Sequence, residues 1–276
     1  MTSVSASNAS MTEQPRRESA RAAPSGYLPA FGSIIKRDLM LLVRRPSRIA
    51  ATVMTPALFW AFFASGFAGS VAGADGATSN AYTLSLAAGA ALLVVTFASI
   101  FGSLGLIRDR ETGYLQAVLV GPTPRWVVIA ARVASGALLA WVQASVMLLA
   151  AAWLGDGVPL SGLVAAGAML AVTAFGLSGA CTALAWHFRS IEGFHGVMAG
   201  VLLPAWLLSG AVFPPDAASG AMTTLMAFNP LSYAHGSIAG SLGVPVARIV
   251  PVIATITFGV AGSVAAIVSA RGDAKR

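Results

Sequence analysis

Few side chains in this sequence are equipped for chemistry, so each can be weighed singly. Ser178 stands in Gly176-Leu177-Ser178-Gly179, a small-residue setting that would suit a serine nucleophile if a general base reached it, with His235 the candidate base. The chain also has 29 glycines, and small residues are expected wherever membrane helices pack closely, so the motif reads equally as packing. His187 and His195 flank Arg189 and Glu192. Two imidazoles without a third ligand do not make a metal centre; interfacial residues account for them, with Glu192 a candidate second contact to a partner. Cys181, the only cysteine, lies in an apolar run and reads as a small packing residue. A P-loop needs glycine just before its lysine. Here Lys36 follows Ile35 and Lys275 follows Ala274, so ATP is not bound through such a loop, and no cofactor is expected.

The densest charge lies in RDRETGYLQAVLVGPTPR, from Arg108 to Arg125, between two long apolar runs. Tyr114, Leu115, Val118 and Leu119 fall at helical spacing and Gly121-Pro122 supplies a stop. The pattern predicts a short amphipathic helix over 112–120 along a membrane face. Leu115, Val118 and Leu119 would enter a groove on a partner, with Arg110 and Glu111 orienting the helix. A solvated loop with snorkelling arginines is the alternative.

Composition places these residues in a membrane. The chain is 57% hydrophobic and 10% charged, with mean hydropathy +0.78, where soluble domains carry roughly 25% charge. The fold class expected is therefore an all-α integral membrane protein. Its net charge of +7 does not indicate nucleic acid, because the arginines sit beside apolar runs, as topology signals do. A crossing helix needs roughly 20 apolar residues, which gives six transmembrane helices, over 49–71, 82–107, 127–154, 160–186, 196–213 and 249–269. Residues 155–157 make a short turn, and Arg132 is expected to snorkel from the start of the third span.

Residues 1–26 are rich in Ser, Ala and Arg without an apolar block and predict a disordered cytoplasmic tail, neither a cleaved signal nor a twin-arginine address. Over 27–48, Phe31, Ile34, Ile35, Leu39 and Leu42 form one helical face with Lys36, Arg37 and Arg44 opposite, the form of a helix lying in the membrane interface. Asp38 falls on the apolar face, where it either pairs with an arginine such as Arg45 or faces another subunit.

Every Lys and Arg except Arg248 falls on one side of the six spans, so both termini and the charged island are expected to be cytoplasmic. Between spans five and six, Asn229-Pro230 breaks a mildly apolar stretch that begins at Pro214. Both pieces are too short to cross, which predicts a re-entrant or interfacial helical hairpin at the outer face. No Asp, Glu, Lys or Arg occupies the middle of a span, whereas ion-coupled carriers need such a group. Energy for any transport must then come from another chain. A pathway lined by Thr, Ser, Gln, Trp and Phe suits an amphiphilic or largely apolar cargo.

Taken in order, the amphipathic N-terminal helix, six spans, Arg110-Glu111-Thr112-Gly113 and Pro124-Arg125 between spans two and three, Leu208-Ser209-Gly210-Ala211-Val212-Phe213-Pro214, and Asn229-Pro230-Leu231-Ser232-Tyr233-Ala234 resemble the type-two ABC exporter permeases. The resemblance covers 27–276 as one permease domain. It implies a non-enzymatic half-transporter in the cytoplasmic membrane, pairing with a second permease copy and a separate nucleotide-binding ATPase, contacting membrane lipids, and exporting drugs, lipids or glycoconjugates. It makes Arg110, Glu111, Gly113, Leu115, Val118 and Leu119 the ATPase-coupling residues, and Lys36, Arg37, Asp38, Arg44 and Arg45 the interface helix. Pro214, Asn229, Pro230 and Tyr233 belong to an outer hairpin that caps the exit. A rival resemblance, through Gly176 to Gly179, is to the rhomboid intramembrane serine proteases. The departures are that His235 precedes the sixth span, no glycine stands three residues after it, and span two offers neither His nor Asn.

Overall fold

A computed structural model describes residues 27–44, 46–71, 76–121, 123–154, 158–212, 218, 220–246 and 249–272. The N-terminal tail, Arg45, the turn at 155–157 and Pro214 lie outside the described residues. The helices are α1 (Tyr27–Val43), α2 (Pro46–Val71), α3 (Gly76–Glu111), α4 (Tyr114–Val120), α5 (Arg125–Leu154), α6 (Leu160–His187), α7 (Ile191–Trp206), α8 (Ala221–Phe228), α9 (Pro230–Ser241) and α10 (Ile249–Gly272). A π-helical turn, Leu207–Ala211, continues α7, and no strand occurs among the described residues.

The chain is an all-α, multi-pass membrane protein. Among the described residues five stretches are long and apolar enough to cross a bilayer: Asn80–Glu111, Arg125–Leu149, Leu160–His187, Ile191–Ala211 and Val250–Ser269. The first expected span falls in α2, whose described apolar part, Thr52–Phe62, is shorter than a crossing. Expected and observed boundaries differ most at the charged island. α3 runs on through Arg108, Asp109, Arg110 and Glu111, so these residues form the last turn of a long helix and not a loop. Nothing in that tetrad breaks a helix; the first breaker is Gly113, at φ 76°, a conformation open chiefly to glycine.

α3 is the hub, packed against α2, α5, α6, α7 and α9. Every residue from Leu86 to Val95 is buried, which accounts for a stretch apolar all round in place of a stripe. α6 and α10 approach backbone to backbone through Gly176, Gly179, Gly259 and Gly262. A Cβ at Gly179 would overlap the Gly262 backbone, and one at Gly176 would come within 2.7 Å of the Phe258 ring. Small residues here set the distance between two membrane helices. One further close approach seats the π-helical turn: the Trp206 indole donates to the Gly89 carbonyl at 2.8 Å, while Ala211 sits where a Gly89 side chain would be.

The break between α8 and α9 is local chemistry. The Asn229 side chain accepts from Leu231 N at 3.1 Å and Pro230 occupies the first helical turn, which is how a helix begins. α9 is not laid out in solvent: Leu231, Ala234, His235, Ser237 and Ile238 are buried, against α10, α6 and α3.

Candidate functional site

α1 and the start of α5 run side by side. The Tyr27 and Trp126 rings are 6.0 Å apart, and further along both helices the Ser135 hydroxyl donates to Asp38 Oδ2 at 2.9 Å. The last turn of α3 closes this junction with Asp109. Arg37 spans the two acids, 3.1 Å from Asp109 Oδ1 and 3.3 Å from Asp38 Oδ1. Arg132 does the same from α5, bonded to Asp109 Oδ2 and 3.5 Å from Asp38 Oδ1. Two guanidiniums and two carboxylates thus tie three helices together. The Asp38, Asp109 and Arg132 side chains are only 12%, 13% and 10% exposed, so removing any one strands a charge in a medium that screens poorly.

Asp38 pairs with arginines, one of the two alternatives its place on α1 leaves open, and its partners are Arg37 and Arg132. Two sequence expectations are corrected here. Arg37 lies beside the apolar face of α1 and turns inward, because Asp109 offers it a two-pronged partner. Arg132 does not snorkel to water, since its counter-ions stand on the adjoining helices. The signal for it was an arginine inside an otherwise apolar run, which requires a partner within the bundle. Lys36 and Arg44 are exposed.

α4 leaves α3 at Gly113 and is stitched back to it. The Gln116 side chain donates to the Arg110 carbonyl at 3.2 Å, and the Arg37 guanidinium lies 3.9 Å above the Tyr114 ring, a cation–π contact that links α4 to the ion cluster. Leu115 is 2% exposed, packed in a core cluster that includes Ile107, Ile129, Trp186 and Phe194, with Val118 and Leu119 partly buried against it. This overturns the expectation that Leu115 inserts into a partner: the helix lies on a bundle whose apolar surface is nearer, so Leu115 fills its own chain's core. Val118 and Leu119 keep part of their surface open. The outward face is Glu111, Thr112, Gly113, Gln116, Ala117 and Val120, the last 88% exposed. Arg110 turns toward the α6–α7 connection, donating to the Phe188 carbonyl at 3.1 Å with its guanidinium 5.1 Å above the Trp186 ring. Between α4 and that connection opens a cleft of about 780 Å³, lined by Glu111, Gln116, Arg125, His187 and Arg189 among others.

The remaining candidates disperse. His187 bonds the Ala183 carbonyl at 2.9 Å, while the His195 ring lies 6.3 Å from Phe101. Among the described residues no three His, Cys, Asp or Glu side chains gather as a metal site would require. Glu192 is exposed in the first turn of α7, and Cys181 is buried in the core. Asn229 donates to the Ala205 carbonyl at 2.6 Å and Tyr233 to that of Ala227 at 2.7 Å, which fastens α9 to α7 and α8.

The family model of the ABC-2 type transporter matches residues 29–242, a region that holds the ion cluster, α4 and the α8–α9 break. The chain belongs to the ABC-2 type transporter family. Among curated proteins, none matches it. As an ABC-2 permease, it is the membrane component of an ABC transporter. The serine-protease reading has no support in the permease. Ser178 bonds Ser99 at 3.2 Å, and His235 Nε2 lies 3.0 Å from the Ser85 carbonyl. Gly176 and Gly179 serve the contact with α10.

Proposed function

We propose that this permease exports an amphiphilic or largely apolar compound (drug, lipid or glycoconjugate) across the cytoplasmic membrane, driven by a separate ABC ATPase that docks on α4. Two copies would form the pathway, since one bundle is small for a bulky cargo and its Gly/Ala/Ser-rich faces suit close contact. In this reading α2 completes six spans, both termini and α4 are cytoplasmic, and the α8–α9 pair caps the exit. The observation that carries it is the placement of α4: a short helix held on its inner side by Leu115 and the Arg37–Tyr114 contact, yet open outward beside a cleft bearing Arg125 and Arg189. Such a helix can be pushed without melting. The ion cluster beneath it would pass the displacement to α1, α3 and α5 together.

The exposed face, not Leu115, is therefore the docking surface. Glu111→Lys and Val120→Asp should each change stability by about 0.5 kcal/mol or less, as exposed substitutions do, while lowering cargo-stimulated ATP hydrolysis and export several-fold in proteoliposomes of the permease with its ATPase. Unchanged coupled export in both variants would remove α4 from the mechanism.

A further inference from the structure

A second cavity, of about 310 Å³, lies on the bundle side of the ion cluster, between α3 and α5 and bordered by α1, α2 and α6. Arg132, Ser135, Gly136, Leu139 and Gln143 line its α5 wall, a spacing of three, four, seven and eleven residues that keeps one helix face turned into it. Its length along α5 is on the order of 16 Å at 1.5 Å per residue. Two of the residues that line it each hold a buried polar atom with no hydrogen-bond partner among the described residues: Arg132 Nε toward one end and Gln143 Oε1 toward the other. Both belong to groups nine-tenths buried, the Arg132 side chain being 10% exposed and Gln143 8%. Buried polar atoms are seldom left unpaired in a folded chain, and an orphan donor and an orphan acceptor at opposite ends of one cavity specify what would complete it.

We infer that this cavity binds a linear amphiphile with an oxyanion at the Arg132 end and a hydrogen-bond donor at the Gln143 end. Arg132 Nε–H requires an acceptor. The cavity rim there carries Arg37, Arg108 and Arg132 against Asp38 and Asp109, so three cations face two anions and one positive charge remains for a carboxylate or phosphate. Gln143 Oε1 requires a donor, such as a hydroxyl. Between these ends Ala98, Phe101 and Leu139 offer apolar surface that suits a hydrocarbon chain, beside Thr52, Ser103, Ser135 and Thr182. The volume is at the lower end for organic-ligand pockets, roughly 300 to 1,000 Å³, which favours one chain over a sugar polymer. The inference deepens the export reading by naming the cargo class. Binding to the permease alone tests the cavity, whereas export with the ATPase tests transport, so each can fail without the other.

The probes are ω-hydroxylaurate, its methyl ether, laurate and lauryl alcohol, titrated calorimetrically into the full-length permease in nanodiscs. Expected is tightest binding of ω-hydroxylaurate, about fivefold better than laurate and the methyl ether, which lack the donor, with lauryl alcohol weakest. Gln143→Leu should erase the fivefold preference. Arg108→Gln, at an exposed position, should weaken all three carboxylates about threefold and spare the alcohol. Equal binding of the four probes, no binding, or a hydroxyl preference that survives Gln143→Leu would overturn the assignment. If Gln143→Leu fails to fold, the comparison of ω-hydroxylaurate with its methyl ether on the native permease decides it alone.

Discussion

Where α1, α3 and α5 meet, two arginines and two aspartates hold three helices together; where α6 meets α10, glycines bring two backbones into contact. The first junction reaches through long side chains whose tips can exchange partners as helices shift. The second depends on dispersion at contact distance, and a gap of 0.5–1 Å already forfeits a quarter to a half of that attraction. Long charged contacts tolerate movement and glycine contacts do not. The position of α4 follows this division, since the Arg37–Tyr114 contact joins it to the charged junction. The α6–α10 pair would serve as the fixed wall against which that junction moves.

The largest effect should come from breaking the charged junction on one side only. Asp109→Ala leaves Arg132 and Arg37 sharing Asp38 alone and should cost about 3 kcal/mol, at the low end for a buried pair because Arg37 is partly exposed. Thermal melting of the detergent-purified permease would show it. Asp109→Leu combined with Arg132→Met should recover most of the loss, because the remaining Arg37–Asp38 pair is neutral; if the double variant melts no higher than the single one, charge balance is not what holds α1 in place.

On the other side of the comparison, Gly179→Ala adds one methyl group. Helix propensity alone would favour it by about 1 kcal/mol. The new Cβ meets backbone at Gly262, which cannot rotate away, so a net loss of about 2 kcal/mol is expected. A stabilised Gly179→Ala permease would show that the contact is looser than described.

Smallest should be Ser178→Ala, which removes one hydroxyl bonded to Ser99 and should cost about 0.6 kcal/mol, typical between membrane helices. Export by this variant should stay within twofold of the native rate. A complete loss of activity would give Ser178 a chemical role that packing does not explain.

Much of the helical layout was readable from composition and breakers. The spans expected from apolar length coincide closely with α5, α6 and α10, because a helix satisfies its backbone locally and membrane burial rewards any long apolar run. Gly121 ending α4 and Asn229-Pro230 opening α9 are likewise single-residue signals. α3 outran its expected end because charge does not break a helix; Gly113 does.

Which side of each helix meets protein was not readable in the same way. A periodic pattern names a face without naming its neighbour. The pattern of α4 sends Leu115 into a partner's groove although it fills its own core, and the arginines that pair with Asp38 are settled only where α3 and α5 lie beside α1. Local sequence therefore determined where the helices begin and end, since their hydrogen bonds close within four residues. The ion cluster joins residues up to about a hundred positions apart, the cavity behind it and the inward turn of α4 join others more distant still, and only tertiary packing, which decides which helices touch, could bring those groups together.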